Sequence, residues 1–155
     1  MKKGLECSEG ELAKFCTLVT KSGEVQTQGL FELVREAEYL AFHYADNGSL
    51  VGIGALKRPR SSYKMKVFQK SGTALSADEY NLELGWLYTK PEFRGKGITQ
   101  AIVGTLLSKI GCEKVFATTR KDDAKHILKK FKFTETGKRF ESSRRGYRLS
   151  LFVRG

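Results

Sequence analysis

Glu83-Leu84-Gly85-Trp86-Leu87-Tyr88-Thr89-Lys90-Pro91-Glu92-Phe93-Arg94-Gly95-Lys96-Gly97-Ile98-Thr99 decides how this chain folds. Its first part is apolar enough for a buried strand, its middle holds a proline and two glycines, and from Ile98 apolar residues recur at helical spacing. A strand that runs through a glycine loop into a helix start makes a cradle for phosphate. Glycine admits positive φ and close backbone approach, the first helical turn offers unpaired N–H groups, and the helix macrodipole supplies the sign. Arg94 and Lys96 add charge, so Arg94, Gly95, Lys96, Gly97, Ile98 and Thr99 form the candidate anion site. A Walker loop needs GxxxxGK[ST], and a dinucleotide fingerprint needs glycine where Gln100 stands, so neither describes it.

Working outward, Asn81 to Thr89 reads as a mostly apolar strand. Ile98 to Ile110 reads as a helix whose buried face is Ile98, Ala101, Ile102, Thr105, Leu106 and Ile110, stopped by Gly111. Val115 to Thr119 is the next strand, Asp122 to Phe131 a helix with two acids at its positive end, and Phe133 to Phe140 with Tyr147 to Val153 a closing strand pair. Upstream, Ser8 to Glu11 has capping-box spacing, and Leu12, Phe15, Cys16 and Val19 continue as one face of a helix ending near Gly23. Leu30, Leu33, Val34 and Ala37 suggest a second helix. Tyr39 to Tyr44 and Leu50 to Leu56 form a hairpin about Asn47-Gly48. The basic stretch Lys57 to Lys70 includes a short helix around Tyr63 to Phe68. This order predicts an α/β chain of the α+β type, one mixed central sheet flanked by helices, with a right-handed parallel crossover from Asn81 to Thr119.

The 155 residues are 40% hydrophobic, which fits a single domain over 1–155 with a real core. No apolar run is long enough to span a membrane and no signal-peptide core follows Met1, so a cytoplasmic protein without a membrane partner is expected. Cys7, Cys16 and Cys112 are odd in number and widely spaced, which points to neither a disulfide framework nor a metal site. The net charge of +11 is uneven: residues 1–55 hold 5 basic and 8 acidic side chains, and residues 56–155 hold 23 and 9. Whatever the later part attracts is anionic.

The loop resembles the central motif of the GNAT N-acetyltransferase superfamily, an Arg or Gln followed by x-x-Gly-x-Gly/Ala, after a strand that reads much like Glu83 to Tyr88. Arg94 to Gly97 fit it. The likeness extends through Pro91-Glu92-Phe93, the following helix, Phe116 to Arg120 and the closing strands, about two-thirds of the chain. It implies a sheet splayed where the parallel strands admit acetyl-CoA, with Trp86, Leu87 and Tyr88 joining the loop in holding this co-substrate. It also implies direct acyl transfer to an amine acceptor without a covalent enzyme intermediate. Three departures stand out: Thr99 where Gly or Ala is usual, Leu128 where many members carry a tyrosine acid, and Lys132 where Gly precedes Phe133.

An alkylammonium is mostly protonated at neutral pH, so a base must take its proton. Glu83 is the candidate by position, and strand alternation puts it on one face with Gly85 and Leu87. Gly85 marks a bulge or a close backbone approach. With Leu128 unable to protonate a leaving thiolate, either the thiolate leaves unassisted into water or backbone donors or another group acts; Tyr147, Tyr88 and His126 are the conceivable acids, and Tyr147 is carried forward with Glu83 as the catalytic pair. His43 reads as structural. The excess positive charge suggests an acidic or nucleic-acid-associated acceptor, with Lys64, Lys66, Arg144 and Arg145 as a docking set. A nucleic-acid-binding module on the same fold, using Lys57 to Lys70, Arg120 to Lys132 and Lys138 to Arg148, is the alternative from another class. Monomer and homodimer both stay open.

Overall fold

Ser8 starts the first helix as its spacing predicts: its hydroxyl accepts from Glu11 N and Glu11 answers to Ser8 N. In the computed structural model, which describes residues 1–23, 28–143 and 146–155, the elements run α1 (Glu9–Lys21), α2 (Leu30–Arg35), β1 (Tyr39–Tyr44), β2 (Leu50–Lys57), α3 (Ser61–Ser71), β3 (Leu82–Thr89), α4 (Ile98–Leu107), β4 (Val115–Thr119), α5 (Asp122–Lys130), β5 (Thr134–Glu141) and β6 (Arg148–Arg154). They build one mixed six-stranded sheet in the order β1-β2-β3-β4-β6-β5. β3 and β4 run parallel, and their ladder pairs Leu82 with Val115 and Glu83 with Phe116.

The chain divides into two compact units. The first joins Met1–Lys57 to Leu84–Gly111, and the second joins Arg58–Glu83 to Cys112–Gly155. In the first, Phe15, Leu12 and Val19 of α1 pack with Val34, Leu40, Ile53 and Ala55. On β2 the alternate residues Gly52 and Gly54 face α4, whose Ile98 and Ile102 side chains stand 2.7 and 2.6 Å from where a β-carbon would be. These glycines let the helix lie close on the strand. The buried face of α4 is Ile98, Ile102, Val103, Leu106 and Leu107. Ala101 and Thr105, expected inside, are exposed, and the row set against the glycines of β2 is Ile98, Ile102 and Leu106.

In the second unit, Val67 and Phe68 of α3 pack on Phe116, Leu151, Val153 and Tyr80. Phe68 meets Phe116 edge-on, with centroids 5.4 Å apart. At the end of α5 the N–H of Phe133 reaches Leu128 O and that of Lys132 reaches Lys129 O, a Schellman cap that puts Lys132 at φ 67°. A left-handed lysine costs about 1–2 kcal/mol, which explains why glycine is customary there. Lys132→Gly is therefore expected to raise stability by about 0.5–1 kcal/mol after the entropy of the freer unfolded chain is deducted, read as a higher midpoint in urea.

Candidate active site

In β3 the alternation of faces fails at one residue. Trp86 takes φ 51°, a left-handed conformation in mid-strand, and the side chains sort accordingly. Lys57 Nζ lies 2.9 Å from the β-carbon position of Gly85 and 4.7 Å from the Trp86 ring centroid. Trp86 also meets Phe15 of α1 edge-on at 6.0 Å. Gly85 and Trp86 thus share the α1 side. Leu87 instead approaches Gly54 on the α4 side. This is the behaviour of a bulge, in which two successive residues occupy one face. It corrects the alternation-based expectation, since Leu87 does not share a face with Gly85. The space beside Gly85 on that side is taken by the Lys57 amine.

The strand then delivers the chain to the glycine loop. Pro91–Phe93 forms one turn of 3₁₀ helix. Gly95 and Gly97 follow at φ 78° and 77°, with nothing within 4 Å of either β-carbon position. Backbone conformation, and not crowding, demands glycine here, and the space beside both is open. Gly97 caps α4, and its carbonyl accepts from Ala101 N. The N–H groups of Ile98, Thr99 and Gln100 therefore have no partner within the helix. Arg94 donates from Nε to Thr89 O at 3.0 Å, with its guanidinium 5.7 Å from the Tyr88 ring. Thr99, the departure from the family pattern, is joined to buried Thr89 by a 2.8 Å hydroxyl contact. Its side chain braces the loop against the strand. The residues fit an anionic pyrophosphate: open space, first-turn donors, positive φ and an oriented arginine.

Glu83 is 4% exposed. A carboxylate so far from water needs donors, and one is Tyr63 of α3, whose hydroxyl donates to Oε1 at 3.1 Å. The Tyr63 ring is 42% exposed, yet its hydroxyl end points inward. Burial, with the adjacent carboxylate second, pushes its pKa well above the ordinary phenol value, while a bond to Thr118 opposes this weakly. The phenol therefore keeps its proton, and its role as donor, at any physiological pH. Tyr63 and Thr118 join Glu83 in a polar cluster of which only the carboxylate is buried.

Tyr147 precedes β6, its ring under the Arg120 guanidinium at 4.3 Å. Leu128 is 1% exposed, a core residue where many acetyltransferases place an acid. His43 lines a depression of about 330 Å³ with Tyr44, Asp46, Phe93, Lys96 and Ile98.

Residues 11–133 match the sequence profile described as "Acetyltransferase (GNAT) family". The chain belongs to this family. Its fold agrees with solved acetyltransferases at low identity. A GNAT family acetyltransferase from Streptococcus agalactiae superposes with a TM-score of 0.70 at 13% identity, covering 95% of this chain and 91% of that one. Escherichia coli ElaA gives 0.68 at 11%, covering 99% and 95%. The putative acetyltransferase yncA from Salmonella typhimurium, solved with its cofactor acetyl-CoA, gives 0.67 at 13%, covering 95% and 89%. No curated protein matches the sequence.

For this GNAT protein the structure also revises the expected docking set. Lys64 is 6% exposed and reaches Asn81 Oδ1 at 3.4 Å, so it belongs to the interior of the second unit. Lys66 is exposed. Arg144 and Arg145 lie outside the described residues. Among the described residues no helix is long and apolar enough to cross a membrane, and no cluster of metal-ligating side chains occurs. The three cysteines are free. Tyr63 was missed as a site residue because its partner is 20 positions away, and its place at the start of a basic run suggested a surface role.

Proposed function

We propose that this protein is an acetyl-CoA-dependent N-acetyltransferase that passes the acetyl group directly to a primary amine. The observation that carries the reading is the Glu83 carboxylate, buried at the last pair of the β3/β4 ladder with the Tyr63 hydroxyl bonded to it. A carboxylate held in place on the strand that leads into the glycine loop is positioned to serve as a general base. Gly95 to Thr99 would hold the pyrophosphate through backbone N–H groups, with Arg94 and Lys96 adding charge, and the backbone of Trp86, Leu87 and Tyr88 would lie along the pantetheine arm. Acetyl-CoA supplies an activated acyl group as a thioester. Glu83 accepts the ammonium proton of the acceptor, and Tyr63 holds the carboxylate in place. Tyr147 is the hydroxyl assigned to protonate the leaving thiolate, in the absence of a tyrosine at Leu128.

Titration calorimetry of the purified protein with acetyl-CoA tests the cofactor half. Micromolar binding, weakened by a truncated analogue lacking the pyrophosphate, is the expected result. A folded protein that gives no heat with acetyl-CoA would remove the enzyme reading and leave only a shared fold.

A further inference from the structure

The net charge of +11 is not spread over the molecule. The second unit holds 18 basic and 8 acidic side chains, net +10, whereas the first holds 10 and 9, net +1. The cofactor loop, with Arg94 and Lys96, lies in the first unit. A surface charged only for solubility has no need to gather its charge in one unit, where like charges repel and destabilise the compact state. The Lys114–Glu79 pair at 2.7 Å neutralises one cation.

On α3 the buried arc is Lys64, Val67, Phe68 and Ser71. Tyr63, Lys66 and Lys70 follow at i, i+3 and i+7, which sets them in one stripe that starts beside that arc at Tyr63 and turns out to solvent at Lys66. The stripe begins at the hydroxyl bonded to Glu83 and runs toward β5. There Lys70 Nζ reaches Glu141 O at 3.4 Å, and the Lys138 side chain comes within 3.9 Å of the Gly72 β-carbon position. Thr73 and Thr136 share a 2.6 Å hydroxyl contact, and Gly137 packs on the Ser71 carbonyl, so helix and edge strand are locked together. Lys66, Lys70 and Lys138 are exposed, and Tyr63 and Met65 show apolar surface beside them at 42% and 58% exposure.

We propose that this track on the second unit binds the phosphodiester backbone of a nucleic acid. A row of exposed ammonium groups beside the aromatic ring of Tyr63 and the thioether of Met65 suits a polymer that carries a charge on every residue and a face on every base. The track ends at Tyr63, so a bound strand brings its own amine, or one attached to it, toward Glu83. That last placement rests on the acetyltransferase reading, whereas the binding does not.

The test uses fluorescence anisotropy with a labelled 20-nucleotide single-stranded RNA and a DNA duplex of the same sequence, titrated between about 50 and 200 mM salt. Wild type is expected to bind at least one probe with steep salt dependence. Lys66→Glu/Lys70→Glu/Lys138→Glu should weaken binding about tenfold or more and reduce the salt slope by about 2–3, roughly one counterion per lost contact. A matched triple in the first unit, Lys14→Glu/Lys21→Glu/Lys109→Glu, makes the same change in net charge and should alter affinity by less than about threefold. The corresponding glutamine triple serves if the glutamate triple melts early. Equal losses in both triples, or no salt-sensitive binding of either probe by wild type, would overturn the proposal. So would binding of phosphatidylserine vesicles or poly-glutamate as tight as that of the nucleic acids. Acetyl-CoA affinity, measured in parallel, should not move in either triple. If acetyl-CoA fails to bind wild type while RNA binds, the enzyme reading falls and the docking track stands.

Discussion

Gly97→Glu is expected to reduce acetyl-CoA affinity by about 100-fold or more in a protein that still folds. Gly97 sits at φ 77° as the cap of α4, with nothing within 4 Å of its β-carbon position. A glutamate there meets no clash and suffers only the left-handed backbone cost of about 1–2 kcal/mol. Its carboxylate, however, stands where the first-turn N–H groups converge, occupying their donors and repelling the phosphates. A hundredfold loss corresponds to about 2.7 kcal/mol, the range of charge-assisted hydrogen bonds broken together with a new like-charge contact. Gly97→Ala separates the two effects, because it carries the same backbone strain without the charge and should keep affinity within about tenfold. Calorimetry on both variants, with thermal melts as the folding control, reads the difference. Unchanged acetyl-CoA binding by a folded Gly97→Glu protein would place the phosphate site elsewhere.

Local chemistry made much of this molecule legible. The Ser8 box, the Asn47-Gly48 turn, β4 and the start of α4 stand where spacing and turn residues put them, because each is fixed by neighbours within a few positions. The phosphate loop was legible for the same reason. What escaped was set by tertiary context. Nothing in the tryptophan at 86 announces a left-handed φ, and its ring packs on Phe15, a residue far away in sequence. The burial of Lys64 left a signal that its basic surroundings obscured: Lys64, Val67, Phe68 and Ser71 recur at i, i+3, i+4 and i+7. Helix phase, not residue charge, decided the side. The partition of charge between the two units was likewise invisible in a halved sequence, because each unit is assembled from two separated stretches.

Glu83→Gln is expected to lower kcat by about 10²–10⁴-fold, the usual share of a positioned general base, and to leave acetyl-CoA affinity within a few-fold. Glutamine keeps the shape of the side chain and an oxygen for the Tyr63 hydroxyl, so the core around this 4% exposed residue loses charge without losing packing. Tyr63→Phe should act through the same carboxylate. It removes the donor at 3.1 Å and leaves a buried charge with one fewer hydrogen bond, at a cost of about 1.5–3 kcal/mol if the whole deficit falls on the reactive geometry, or roughly 10–100-fold in kcat. The decisive comparison is the double variant. If Tyr63 works only by holding Glu83, then Tyr63→Phe in the Glu83→Gln background should cost nothing further, whereas two independent contributions would multiply. A variant pair that multiplies would separate Tyr63 from the carboxylate and return it to the surface of α3. Full activity in Glu83→Gln would instead reassign the carboxylate to structure and move the search for the base to another residue.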